Sequence, residues 1–354
     1  MNRSSFVSCA CAALVAASVP PAAVGQVGDF GQADALRREH PDLHELVLRL
    51  DEIHAVMLAE VARRSAAERA AGRVPSAADF SAELLDRLTR GVRGDLPDLP
   101  PGAGLEVLGA RGAEVVRWGQ AFRREVLSVL SDPGVDDASV ALAHVVDRYR
   151  ARPELALAGA PKSMDVLYSH PYAQAFRTAY GDLDGLSWAG GWLRLAATEP
   201  LTDIAPGAAR AAGVDTVATR YFAKLTFGAP PQAFPTELPL APAIAPGLIW
   251  LSPESAMIWD NLSMLLEVVA DVAASPDNDD LPAAVGAVLD FFLDPETAVT
   301  DRDAWEIMAL RHGIFFQGGF PLAVMMQSER NVMGHATHLA GGGMLMTMPG
   351  MPRR

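Results

Sequence analysis

The chain has 354 residues, half of them hydrophobic, and carries 29 basic against 43 acidic groups for a formal charge of −14. An acidic balance of that size excludes a surface built to neutralise nucleic-acid phosphates. No segment beyond the N-terminal stretch offers the ~20 uninterrupted apolar residues that crossing a membrane as a helix requires.

The N-terminus reads Met-Asn-Arg-Ser-Ser, then an apolar run from Phe6 to Val19, then small residues at Ala23 and Gly25. That order predicts a secretory signal peptide over 1–25, cut after Gly25, and so a periplasmic or secreted protein with no transmembrane helix after its removal. Both cysteines, Cys9 and Cys11, and the cation Arg3 would leave with it. The remainder then carries 28 basic against 43 acidic groups, a charge of −15. Without a thiol it has no disulfide frame, zinc–thiolate site or cysteine nucleophile, and any metal must be held by His, Met, carboxylate or backbone.

From His40-Pro41 to about Arg64, Leu43, Leu46, Val47, Leu50, Ile53, Met57, Leu58 and Val61 recur on one helical face. His54 is centred on that face, and Asp51, three residues earlier at its edge, is within reach of it. Asp79 to Arg90 predicts a second helix, followed by a Pro/Gly-rich loop from 94 to 104. Gly112 to Leu130 predicts a third, stopped by Asp132-Pro133-Gly134. Asp136 to Arg150 predicts a fourth, with Leu142, Val145, Val146 and Tyr149 inward and His144 outward.

Ser169-His170-Pro171 has the form of a cap and first turn, predicting a helix through Tyr180. Ser187 to Thr198 predicts another, and its Trp188 and Trp192, spaced by Ala-Gly-Gly, leave a shallow notch for core packing or, alternatively, for a ligand ring or a partner side chain. Val214 to Phe227 completes the first half. Prolines at 230, 231, 235, 239, 242 and 246 then interrupt the chain, so this segment cannot be helical throughout, and its apolar content predicts that it lies against the protein.

Ser252-Pro253-Glu254 starts a helix to Ala274, with Asp260, Glu267 and Asp271 predicted outward and Asn261 inside the apolar sector. Pro282 to Leu293 is almost wholly apolar, the mark of a central helix. Acidic pairs at Asp136-Asp137 and Asp279-Asp280 stand at helix entrances, where the backbone dipole favours negative charge. Asp301 to Leu339 predicts a hairpin of two helices broken at Gly318-Gly319. Arg311 and His312 fall in the apolar stripe of the first, and Glu329 in that of the second. Burying an unpaired charge is costly, so Glu329 is expected to meet Arg311, His312 or both.

Strand-like alternation is absent, and the fold class is all-α: an irregular multi-helix bundle. The boundaries read as 26–228 for an N-terminal helical part, 229–251 for a proline-rich connector, 252–340 for a C-terminal helical part ending in the hairpin, and 341–354 for a Gly/Met-rich tail. No Gly-x-Ser-x-Gly elbow, HExxH, P-loop or GxGxxG is present.

Two groups of residues suit a metal. Asp51, His54, His312 and Glu329 would form a His/carboxylate site for a divalent ion if the first helix packs on the hairpin. In the tail, Met333, His335, His338, Met344, Met346, Met348 and Met351 offer thioether and imidazole, the ligand set that suits copper. Against this, Asn261, Arg311, His312 and Glu329 are also explained as a buried polar network satisfied by neighbours. The leading expectation is an exported soluble helical protein acting by non-covalent association, as an accessory subunit or binding module of the cell envelope with an unidentified protein partner. Metal handling, with copper as cofactor, is the alternative, and an enzyme using the buried His/carboxylate groups for acid–base work comes third.

Overall fold

A long segment with only a narrow polar side has to be surrounded on most of its faces, and 253–274 is such a segment. In the computed structural model, which describes residues 30, 34–71, 81, 82, 84, 104–226, 238–275, 278 and 280–297, it is the helix on which most of the others converge. The architecture is all-α, with no strand among the described residues.

In chain order the helices are α1 (Asp34–Glu39), α2 (Pro41–Ala71), a 3-10 turn (Leu105–Leu108), α3 (Gly109–Ser131), α4 (Ala138–Arg150), α5 (Val166–Ser169), α6 (Ala175–Ala179) and α7 (Gly181–Ala196). There follow α8 (Thr198–Asp203), α9 (Ala208–Thr226), α10 (Ala241–Ile244), α11 (Pro246–Leu251), α12 (Pro253–Ala274) and α13 (Leu281–Leu293), with a closing 3-10 turn (Pro295–Thr297). α12 packs against α2, α3, α4, α5, α6, α10, α11 and α13. One hydrophobic cluster runs through the assembly, from Phe30 to Phe292.

Local chemistry sets several starts. Ser252 Oγ accepts from Ser255 N with Pro253 at the first position of α12, and Asp137 and Asp280 cap α4 and α13 through Val140 N and Ala283 N. The acidic pairs noted in the sequence thus each supply a cap. The predicted inward face of α2 is buried throughout, as are Leu142, Val145, Val146 and Tyr149 of α4, while His144 is exposed.

Three expectations need correction. No helix starts at His170-Pro171: α5 ends at Ser169, a turn follows, and Gln174 takes a left-handed conformation (φ 66) before α6 begins. Asp260 and Asp271 are not outward but 1% and 2% exposed. The same cause underlies both corrections. Short helices leave amide groups without intrahelical partners, and buried carboxylates of α12 take them: Asp271 accepts from Gln174 N (3.0 Å) and Phe176 N (2.8 Å), and Asp260 from Ala241 N (2.9 Å). Third, α13 is not central. Among its residues only Val285, Leu289 and Phe292 are buried, so it rests on the body along one stripe.

The proline-rich segment lies against the protein where it is described. Leu238, Leu240, Ala241 and Ala243 are buried, and prolines open the two short helices α10 and α11. The Trp188/Trp192 notch is filled from within. Leu50 packs at Gly190 and Pro239 at Gly191, while the buried Lys224 ammonium lies 5.1 and 4.2 Å from the two indole centroids. The predicted Asp79–Arg90 helix falls almost entirely, and the Asp301–Leu339 hairpin wholly, outside the described residues.

Candidate functional site: a charged groove on a clamped carboxylate

α2 is amphipathic but not cleanly so, because Asp51 and His54 interrupt the side it turns inward. Their surroundings show what each is for. Asp51 accepts from Arg124 of α3 (2.5 Å) and Arg194 of α7 (2.9 Å), one oxygen to each. A carboxylate shared by two guanidiniums fixes three helices relative to one another with directed, charge-assisted bonds. The pairing crosses 73 and 143 residues of sequence.

His54 goes deeper, and its Nδ1 has no hydrogen-bond partner among the described residues. Burial, with Arg194 and then Arg123 adding repulsion, pushes its pKa down to about 3, so it is a neutral imidazole at physiological pH. Arg123 is itself buried. It donates to Trp259 O and Ser263 Oγ (both 2.6 Å), with its guanidinium 5.2 Å from the Trp259 ring centroid. Burial pulls its pKa down to about 9, which leaves it charged.

Above this layer is a groove of about 680 Å3 between α2 and α3. Its apolar lining comes from Phe30, Leu48, Leu105, Trp118 and Leu155, and its charged lining from Arg37, Glu52, Glu114, Arg117 and Arg152, with Asp51 and Arg124. Side-chain exposure separates depth from rim: Arg37 and Arg117 are 59% and 44% exposed, whereas Arg124 and Asp51 are 25% and 12%. The clamped pair is therefore the base of the groove.

The aromatic wall is braced. Trp118 and Phe30 have ring centroids 4.4 Å apart, Trp118 Nε1 donates to Tyr149 O (3.0 Å), and Arg152 lies over the Trp118 ring at 4.9 Å. At the other end Gly104 sits at φ 107 against the Ala55 carbonyl, where a Cβ would collide with backbone. Only glycine lets the 3-10 turn approach α2 so closely.

A second polar cluster sits on the far part of α12. His170 Nε2 lies 3.3 Å from Asp271 Oδ2, and Arg177 donates to Asp184 (2.9 Å). Burial, opposed by Arg177, pushes Asp184 up to about 6. Because Asp271 is occupied by the amides of α6, this cluster reads as the cap and anchor of α6 and α7.

Asn261 is fully buried, as its place in the apolar sector implied. It accepts from Lys162 N (3.0 Å) and donates to the carbonyls of Ala158 and Ala160 (2.8 Å each), pinning the loop between α4 and α5. Of the proposed internal metal set only Asp51 and His54 are described, and the Asp51 carboxylate is engaged by arginines. Among the described residues no group of three or more His, Cys, Asp or Glu is placed to hold a metal ion. His312, Glu329 and Arg311, and the copper candidates Met333, His335, His338, Met344, Met346, Met348 and Met351, lie outside the described residues. Sequence reading missed the groove residues Arg124 and Trp118, and Arg194, which holds Asp51 from behind. Arg194 had a signal, as the one charged residue in 185–196, whereas Arg124 does not stand out among the many charged residues of α3.

Fold and groove together define a multi-helix protein with a preformed concave surface. Compared with family models, with curated proteins and with solved structures, the chain matches none.

Proposed function

We propose that this is an exported helical protein that works by non-covalent association, as an accessory subunit or binding module of the cell envelope, and that it binds through the groove between α2 and α3. The observation that carries the reading is the groove itself. Its volume of about 680 Å3 falls inside the ~300–1,000 Å3 typical of ligand sites, and an apolar, aromatic wall meets a few charged groups there.

Preorganisation supports the same reading. Binding costs least when the receiving surface is already ordered, and here the base is held by Asp51 between two arginines while the wall is held by the Trp118 hydrogen bond. Export rests on the N-terminal sequence pattern, and a mature chain beginning at Gln26 on N-terminal sequencing is its expected outcome.

The groove is tested by filling it. Ala121 lines it on α3 and is partly exposed, so Ala121→Trp should occupy the space while leaving the charged groups of the groove in place. Protein recovered from its native compartment should show bound mass in native mass spectrometry, and Ala121→Trp should lose it. Bound mass retained unchanged by the variant would place the association elsewhere.

A further inference from the structure

Behind the clamped carboxylate is a smaller space between α2 and α7, about 20 Å3 in volume, with His54, Ser187 and Arg194 as its polar lining among apolar side chains. A space of that size holds one water-sized particle. Its two most buried polar residues are incompletely satisfied: His54 and Arg194 are each 8% exposed, and neither His54 Nδ1 nor Arg194 Nε has a hydrogen-bond partner among the described residues.

The charge balance around it is uneven. Arg123 and Arg194 are both buried, and Arg123 Nε is a further unpartnered donor. Asp51 is the carboxylate paired with Arg194, and it also serves Arg124. Asp260, the other carboxyl near Arg123, has both oxygens turned to the Ala241 amide (2.9 and 3.1 Å), and burial pushes its pKa up. Arg194 and Arg123 both act electrostatically on His54, so their positive field reaches the imidazole that lines the cavity. A buried charge is retained only where something offsets it. A water molecule would satisfy the hydrogen bonds but not the charge.

We propose that this cavity binds a single small monovalent anion of halide size, chloride in the native setting, held by Arg194 Nε–H and by the Nδ1–H tautomer of neutral His54. The anion completes the core beneath the groove and is independent of whatever the groove itself binds. An anion held only by the folded state raises stability by mass action.

The test is the unfolding midpoint of the wild-type protein as chloride replaces gluconate at constant ionic strength and pH 7.5. A saturable rise of about 2–5 °C, reproduced by bromide, is expected; a flat response overturns the site. Ser187→Leu, which fills the space from its partly exposed edge, should keep its midpoint in gluconate and lose the chloride response, whereas an undiminished response places the anion elsewhere. Crystals grown in bromide should show an anomalous peak at Arg194 Nε, and ordinary water density without anomalous signal there contradicts the proposal.

Discussion

Asp51 is the residue on which the groove depends, and its energetics are asymmetric. Two guanidiniums were brought out of bulk water to meet it, so removing its charge strands them, at about 3–5 kcal/mol for a buried pair broken on one side. Asp51→Asn, which keeps the shape, is therefore expected to lower urea stability by roughly that amount. A loss within ~0.5 kcal/mol, the scatter of surface substitutions, would mean that the clamp contributes nothing.

His54 makes a prediction about pH. Its folded pKa of about 3 lies below the ordinary histidine value of 6.5, so the folded state binds this proton less readily than the unfolded one. Its contribution is fully present above pH 6.5 and is lost as pH falls towards 3. His54→Leu should flatten the acid side of the stability profile over that window. A profile of unchanged steepness would show that another group governs acid unfolding.

The helical wheel made both residues visible as polar groups on an apolar face, but it offered each as the partner of the other. What it lacks is the orientation of α3 and α7, which decides that arginines far away in sequence reach Asp51 first. Asn261 was legible for the same reason as His54, because an amide inside an apolar sector has to be buried.

Among the elements, α12 organises its neighbours by supplying acceptors for amides that short helices leave bare. Two short helices are served in this way, α10 by Asp260 and α6 by Asp271, and Asn261 does the same for the 158–162 loop. Asn261→Ala removes an acceptor from one buried amide and a donor from two partly buried carbonyls. A cost of about 2–4 kcal/mol follows from roughly 1 kcal/mol or more per lost buried bond, measurable by denaturant unfolding, with faster amide exchange at Lys162 N. Stability loss without that local exchange change would contradict the pinning role.

Gly104→Ala gives a sharper geometric test. The positive φ and the Ala55 carbonyl both oppose a side chain, so a loss of at least about 1–2 kcal/mol is expected; a neutral substitution would mean that the turn sits elsewhere. Long helices such as α2, α3 and α4 were legible because their periodicity runs over several turns. Asp260 and Asp271 were not, since charged residues default to solvent unless a neighbour's backbone calls for them, and that neighbour is identifiable only once the chain has folded back. Segments rich in breakers, such as the proline run and His170-Pro171, are where such neighbours arise.

At the scale of the whole molecule, the helices surround one continuous hydrophobic cluster, and the fold class was readable from the absence of strand alternation. The groove was not, because it is a property of the space between α2, α3 and the loop after α4, to which no single stretch of sequence corresponds. A cleft whose lining is charged and partly aromatic is suited to receiving a ligand, and the proposed function rests on that space.

The most direct measurement places a photo-crosslinking amino acid at Leu48, inside the groove, and separately at His144, exposed on α4 outside the groove lining, in the cells that make the protein. A discrete adduct is expected from position 48, suppressed by Ala121→Trp, and none from position 144. Adducts of equal yield from both positions, or none from position 48, would contradict binding through the groove.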